Sequence, residues 1–287
     1  MTKPITPLRQ RMLDDMKIRN MSPNTQYIYA RAVANFSAFH QQSPDKLGIE
    51  DVRDYRLHLI ARGLKVASIN PIMGALRFFY GTTLGNRSLA EQITFARKDD
   101  TLPAALTRDE VMRFLQAVPD LKMRTAFITI YAAGLRVSEV VALTARDIDS
   151  KRMVICVRQG KGRKDRYVML SEQLLAILRH YWRRTRPPVW LFPGPNPSYP
   201  ITPRTLQRAC REAADAAGLD KSVTVHTLRH SFATHLLEQG VDIRVIQDLL
   251  GHRHIQSTTR YARVALNMIR QIQSPLELLS IEEKPPA

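Results

Sequence analysis

A chain of 287 residues, 44% of them apolar, is long enough for two ordinary domains and too apolar for bulk disorder. Its 43 Lys and Arg against 26 Asp and Glu leave a net charge of +17, more than solubility requires. The default partner of such a charge is a polyanion, most often nucleic acid, and a solvated basic surface is the plainer alternative. Cys156 and Cys210 form no CxxC or Cys/His pattern, no stretch approaches a membrane span, and residues 1–10 hold no apolar signal core, so a reduced, cytoplasmic protein is expected.

Residues 1–84 read as a small all-helical unit. Leu8, Met12, Leu13 and Met16 predict a helix from about Pro7 to Arg19. Ser22 followed by Pro23 gives a cap and a proline at the first helical position, with Tyr29, Val33, Phe36 and Phe39 then at helical spacing. A third helix is expected over about Ile49 to Ala61, closed by Gly63, and a fourth over about Val66 to Thr83. Basic side chains such as Arg9, Arg31, Arg62 and Arg77 decorate the unit, which by itself says only that it is a basic helical module. Residues 85–105 read as a linker, because Asn86, Arg87, Arg97, Asp99, Asp100 and Pro103 break any period. Thr107-Arg108-Asp109-Glu110 is a capping box that opens a second domain, 106–287.

Helix is expected from there to about Ala133, where Gly134-Leu135-Arg136-Val137-Ser138-Glu139 turns into another helix, capped by Ser138 or a neighbour. Met153 to Val157 is rich in β-formers and Arg166 to Leu170 alternates. The glycine-bearing turn from Gln159 to Asp165 between them predicts a β-hairpin with Lys161 at its tip. Ser171 caps a helix through Leu174 to Trp182, residues 186–203 are a proline-rich loop, and Thr205 to Ala217 is helical with Gly218 at its end. The fold class is therefore mainly α with a small β-sheet (α+β).

Residues 226–261 concentrate the polar chemistry. His226 and Arg229, three apart, lie on one side of a helix and can reach one ligand. Phe232, Leu236 and Leu237 continue an apolar stripe toward Gly240, a C-cap. A short helix follows from about Asp242, Gly251 stops it, and His252 comes next. Ser257 can cap a third helix, which carries Tyr261. Two His, one Arg and one Tyr thus sit at helix ends around an apolar hub, an arrangement suited to an anion.

The full order is Arg136, Lys161, His226, Arg229, His252, Tyr261. Through Ala133-Gly134-Leu135-Arg136-Val137-Ser138-Glu139, Gly160-Lys161-Gly162, His226-Thr227-Leu228-Arg229-His230-Ser231, Leu249-Leu250-Gly251-His252 and Thr258-Thr259-Arg260-Tyr261, the chain resembles the tyrosine recombinases of the phage integrase and Xer type. Any one segment is weak; all five in this order are specific. The resemblance implies a helical core-binding domain at residues 1–84 and a tyrosine-recombinase catalytic domain at 106–287. It implies a site-specific recombinase that cuts and rejoins double-stranded DNA through a covalent 3′-phosphotyrosyl intermediate, without metal, ATP or other cofactor. It implies four protomers on paired recombination sites and no membrane. Tyr261 would be the nucleophile and Lys161 the proton donor to the leaving 5′-oxygen. His226 and His252 would handle the nucleophile's proton and hydrogen-bond the phosphate.

The residues suit this chemistry in their own right. A phosphodiester under attack gains charge on its non-bridging oxygens, and two guanidiniums, Arg136 and Arg229, are permanently charged, bidentate clamps for them. Glu139 can orient Arg136 or cap the helix, and the orienting, non-chemical role is favoured. A phenol has a pKa of about 10, so Tyr261 needs a base or local positive charge to attack. Taken singly, each has a plainer reading: a surface arginine, a turn lysine, a capping or core histidine, a packed tyrosine. Gly160-Lys161-Gly162 is not a P-loop, since the Ser/Thr ending is missing.

Three rival readings stand beside this one. A metal nuclease would draw on His226, His230, His235, His252 and His254, but lacks HExxH and clustered acids. A non-catalytic DNA-binding protein has no need of Tyr261. A type IB topoisomerase uses nearly the same chemistry. The tail from Gln273 to Leu279 is similar to the end of integron integrases, but the interval from Lys161 to His226 leaves little room for their extra segment. A two-domain Xer-like or mobile-element recombinase fits better.

Overall fold

The computed structural model describes residues 6–97, 105–158, 165–251 and 272–279. The turn with Lys161 and the segment with His252, Ser257 and Tyr261 lie outside the described residues. The chain divides into two compact units, Met1–Thr101 and Leu102–Ala287.

In the first unit, α1 (Pro7–Ile18), α2 (Pro23–His40), α3 (Ile49–Ala61) and α4 (Val66–Phe78) fall where the apolar spacing predicts. The first three starts are capped. Thr6 Oγ1 accepts from the Arg9 N–H at 3.3 Å, Ser22 Oγ from Thr25 at 3.2 Å, and the Asp51 carboxylate from Gly48 at 2.7 Å. The predicted fourth helix reaches Thr83, but its last five residues, Phe79–Thr83, wind as a π-turn. Met16, Phe36, Met73 and Leu76 centre the core, and the buried Tyr80 hydroxyl lies 2.9 Å from the carbonyls of Pro44 and Leu47.

Residues 85–97 correct the linker reading of 85–105. Asn86 caps α5 (Arg87–Gln92), accepting from the Leu89 N–H at 3.1 Å. α5 packs so closely that a Cβ on Gly81 would lie 2.9 Å from that of Ala90. Ile93 is buried, Arg56 donates to the Thr94 carbonyl, and the Asn70 amide pairs with Ala96 through both its O and N atoms. The polar residues that interrupt the pattern are thus turn and cap chemistry, not a free connector.

The second unit opens on the expected capping box, with Thr107 and Glu110 bonding each other reciprocally at 2.7 and 3.2 Å. The single helix expected from Thr107 to Ala133 is two, α6 (Arg108–Gln116) and α7 (Leu121–Ala133). Pro119 lacks the donor to continue the first, and Asp120 caps the second at Met123 N, 2.7 Å. α7 is buried on every side from Thr125 to Ala133, which makes it the central helix. The Thr125 and Thr129 hydroxyls donate one turn back, to the carbonyls of Leu121 and Thr125.

Around α7 pack α9 (Glu172–Thr185) and α11 (Val225–Glu238). α8 (Val137–Val141), α10 (Pro203–Ala216) and α12 (Ile243–Leu250) complete the described helices. The hairpin strands β2 (Val154–Val157) and β3 (Arg166–Met169) pair antiparallel with Val157 opposite Arg166 and Ile155 opposite Val168. A two-residue strand, β1 (Ile148–Asp149), adds an edge too short to leave a period in the sequence. Near the end, Leu276 and Leu279 are buried in this same core and Ser274 Oγ donates to the Ala132 carbonyl at 3.2 Å, so residues 274–279 pack on their own unit. Among the described residues no helix is long and apolar enough to cross a membrane.

Candidate active site

The site begins at the end of α7. Gly134 takes φ +62°, closing the helix, and any Cβ there would lie 2.5 Å from a ring carbon of Phe232. This tight turn against α11 delivers Arg136 to the cap position of α8. Glu139, three residues on, accepts the Arg136 backbone N–H at 2.8 Å and its Nη1 at 2.7 Å. One carboxylate therefore caps the helix and orients the arginine.

Glu139 is shared further. Arg166, the first residue of β3, donates Nη1 and Nη2 to its two oxygens at 2.7 and 2.8 Å, a parallel fork. Arg229 Nη1 lies 3.8 Å from Oε2. Burial alone would raise the Glu139 pKa; the Arg166 hydrogen bonds, the Arg136 N–H, the Arg166 charge and the Arg136 side-chain hydrogen bond outweigh it and hold the carboxyl at about 2. Three guanidiniums against one carboxylate leave surplus positive charge in a mostly buried place. Desolvation first, then the Arg136 charge, lowers Arg229 to about 10, still protonated near neutral pH.

The same arginines hold the end of α12. The last carbonyls of a helix lack intrahelical donors and carry the negative end of its dipole. Here three successive carbonyls each accept from a different arginine: Leu249 from Arg166 Nε at 3.0 Å, Leu250 from Arg229 Nη2 at 2.6 Å, Gly251 from Arg136 Nη2 at 3.1 Å. Arg229 Nη1 also donates to the Gly134 carbonyl at 2.5 Å, joining the α7 turn to the α12 end. His252 is the next residue in sequence.

His226 and Arg229 separate by exposure. His226, in the first turn of α11, is exposed; Arg229 is only 2% exposed. His226 and Arg136 line one cleft of about 390 Å³ with Ser138, Gln207, Arg211 and Thr224, and the buried Arg229 is not part of its lining. The His230 ring sits 4.3 Å from that of His226, edge to face, and burial, with the Arg229 charge, lowers its pKa. His235 is buried, its Nδ1 2.8 Å from the Tyr131 hydroxyl. Among the described residues no three His, Cys, Asp or Glu side chains converge as metal ligands.

Of the six residues singled out in the sequence, Arg136, Arg229 and His226 are thus gathered around α8, α11 and the α12 end. Lys161, His252 and Tyr261 lie outside the described residues. Arg166 is the member that the sequence reading missed. Its signal is parity: it shares a strand face with the buried Val168, so an arginine there needs a partner inside.

Residues 104–268 match the phage integrase family, and residues 8–90 match the N-terminal SAM-like domain of phage integrases. The y4qK protein of Sinorhizobium fredii, whose name places it with the integrases/recombinases, is 51% identical over 278 residues, 96% of this chain and 90% of that protein. Tyrosine recombinase XerA of Pyrococcus furiosus is 33% identical, covering 95% of this chain and 96% of that one. In fold, the chain is similar to lambda integrase in a tetramer bound to a Holliday junction, at TM-score 0.70 and 20% identity over 89% of this chain and 75% of that one.

Proposed function

This chain belongs to the phage integrase family of site-specific recombinases, and from that premise we propose that it cuts and rejoins duplex DNA through Tyr261, without metal or nucleotide. The observation that carries the reading is the set of arginines around Glu139, with His226 and Arg136 lining one cleft: fixed positive charge for a phosphate, held before any ligand arrives.

Tyr261 Oη attacks the scissile phosphorus as its proton passes to a histidine of the site, His226 or His252. The bond from phosphorus to the 5′-oxygen breaks, the DNA stays attached by a 3′-phosphotyrosyl ester, and Lys161 protonates the departing oxygen to a 5′-hydroxyl. The ester conserves the phosphodiester's energy, so a 5′-hydroxyl from another strand reverses the step and joins to it. Arg136 and Arg229 stabilise the non-bridging oxygens throughout.

Residues 1–84, with the packed extension to Ala96, serve as the core-binding domain on one part of the duplex, and residues 106–287 as the catalytic domain. Lambda integrase is a tetramer on its Holliday junction; we assign this protein the same number of copies on paired sites, in the cytoplasm where the DNA lies.

Tyr261→Phe removes only the attacking oxygen. DNA affinity is expected to stay near wild type while the covalent protein–DNA adduct, resolved on a denaturing gel, disappears. An adduct formed by the Phe variant at the wild-type level refutes the assignment.

A further inference from the structure

We infer that Arg166 is a positioning residue for the phosphate clamp: by forking onto both oxygens of Glu139, it limits the Arg136 side chain to a single bond on that carboxylate and keeps it from taking the two-bond fork. The inference rests on the strand-transfer reading above.

A guanidinium and a carboxylate prefer the two-bond fork, which engages two donors and aligns opposite charges. Glu139 offers one such face, and Arg166 takes it, at 2.7 and 2.8 Å. Arg136 is left with one side-chain bond to Oε1, at 2.7 Å, and one to the Gly251 carbonyl, at 3.1 Å. Only two of its five N–H donors are thus engaged among the described residues. Its side chain is 21% exposed and lines the cleft, whereas that of Arg166 is 13% exposed and faces inward.

Geometry argues against a plain structural role for Arg166. A buried carboxylate needing only neutralisation has Arg136 beside it and Arg229 at 3.8 Å. A third guanidinium adds unbalanced charge to a mostly buried place, which is unfavourable for folding. It does, however, fix which arginine faces in and which faces the cleft. The third Arg166 donor, Nε on the Leu249 carbonyl at 3.0 Å, prevents its own rotation off Glu139. Without Arg166, the fork face opens to Arg136 at once. Arg136 would turn inward, and the cleft would lose donors and charge together.

The test compares two duplexes with the same site, mapped by sequencing DNA covalently trapped by the wild-type protein. One carries the ordinary scissile phosphate. In the other a methylphosphonate replaces it, so that no negative charge awaits a guanidinium. On the ordinary duplex, Arg166→Gln is expected to slow single-turnover cleavage by about 10²-fold, as loss of one preorganised donor does, with affinity for the duplex unchanged. On the methylphosphonate the deficit relative to wild type should nearly vanish, as it should for Arg136→Gln. Arg166→Lys keeps a charge but cannot fork, and is expected to show the same pattern with a smaller loss; it decides the matter if the Gln variant does not fold. An equal deficit on both duplexes, a deficit that follows lost affinity, or no deficit at all overturns the positioning role and leaves the strand-transfer reading standing. Failure of the wild-type protein to form any adduct overturns both.

Discussion

In residues 6–97 no charged side chain is fully buried. Arg53 lies 3.5 Å from Glu50 with the two side chains 72% and 76% exposed, and Lys17 pairs with Asp14 at 59% and 51%. Arg19 and Arg77 rest over the rings of Phe78 and Phe95. In the second unit, Arg136, Arg166 and Arg229 turn toward one carboxylate, and their side chains are 21%, 13% and 3% exposed. The same residue type therefore does two different things. Exposed pairs contribute little to stability and are weakened by salt. Inward guanidiniums are unfavourable to desolvate and persist because Glu139 and three helix-end carbonyls receive them. The first arrangement leaves its charges free to meet a solvent-borne partner; the second locks its guanidiniums into the fold.

The largest effect follows from removing the shared acceptor. Glu139→Gln keeps the shape and deletes the charge, leaving the guanidiniums without an anion. Breaking a buried ion pair on one side typically costs about 3–5 kcal/mol, and denaturant unfolding of the full chain should show a loss in that range. A loss below about 1 kcal/mol, the ordinary range of an exposed pair, would erase the distinction between the two units.

Much of this was legible in the sequence, and the failures share a cause. The first-unit helices, the capping box at Thr107, the hairpin and the αL stop at Gly251 all announce themselves through local periodicity or a single turn residue. Arg136, His226 and Arg229 stood out through their motifs. What escaped detection depends on contacts distant in sequence. The polar run at 85–97 looks like a connector until Asn70 and Gly81 meet it from elsewhere in the unit. Arg166 looks like a hairpin charge until Glu139, 27 residues earlier, is seen to share it. That the α12 carbonyls are received by three arginines from three elements cannot be read from any window of residues.

A second, smaller effect is the acid limb of stability. Glu139 titrates near 2 in the folded chain against a usual 4.5. A folded pKa below the unfolded one gives stability that is fully present above about pH 4.5 and is lost as pH falls toward 2. A depression of this size amounts to about 3 kcal/mol. Unfolding free energy measured from pH 6 down to pH 3 should therefore fall for the wild type, and the fall should be shallower in Glu139→Gln. Parallel curves for the two proteins would show that other carboxylates carry the limb.

The smallest effect belongs to the exposed charges of the first unit, and it tests the comparison from the other side. Lys17→Ala and Arg53→Ala each remove one member of an exposed pair, so stability should change by no more than about 0.5 kcal/mol. Their consequence, where a side chain meets a phosphate, is on affinity and its salt dependence. Each neutralised phosphate contributes about 0.9 to the slope of log affinity against log salt, so either substitution can lower the slope by about that much and no more. Binding isotherms for a duplex at several salt concentrations, read beside denaturant unfolding of the same variants, separate the two quantities. A slope that falls while stability holds is the behaviour of charges placed for a polyanion. A stability loss of several kcal/mol from either variant would mean that the first unit, like the second, relies on its ion pairs to fold, and that exposure does not divide the two kinds of arginine.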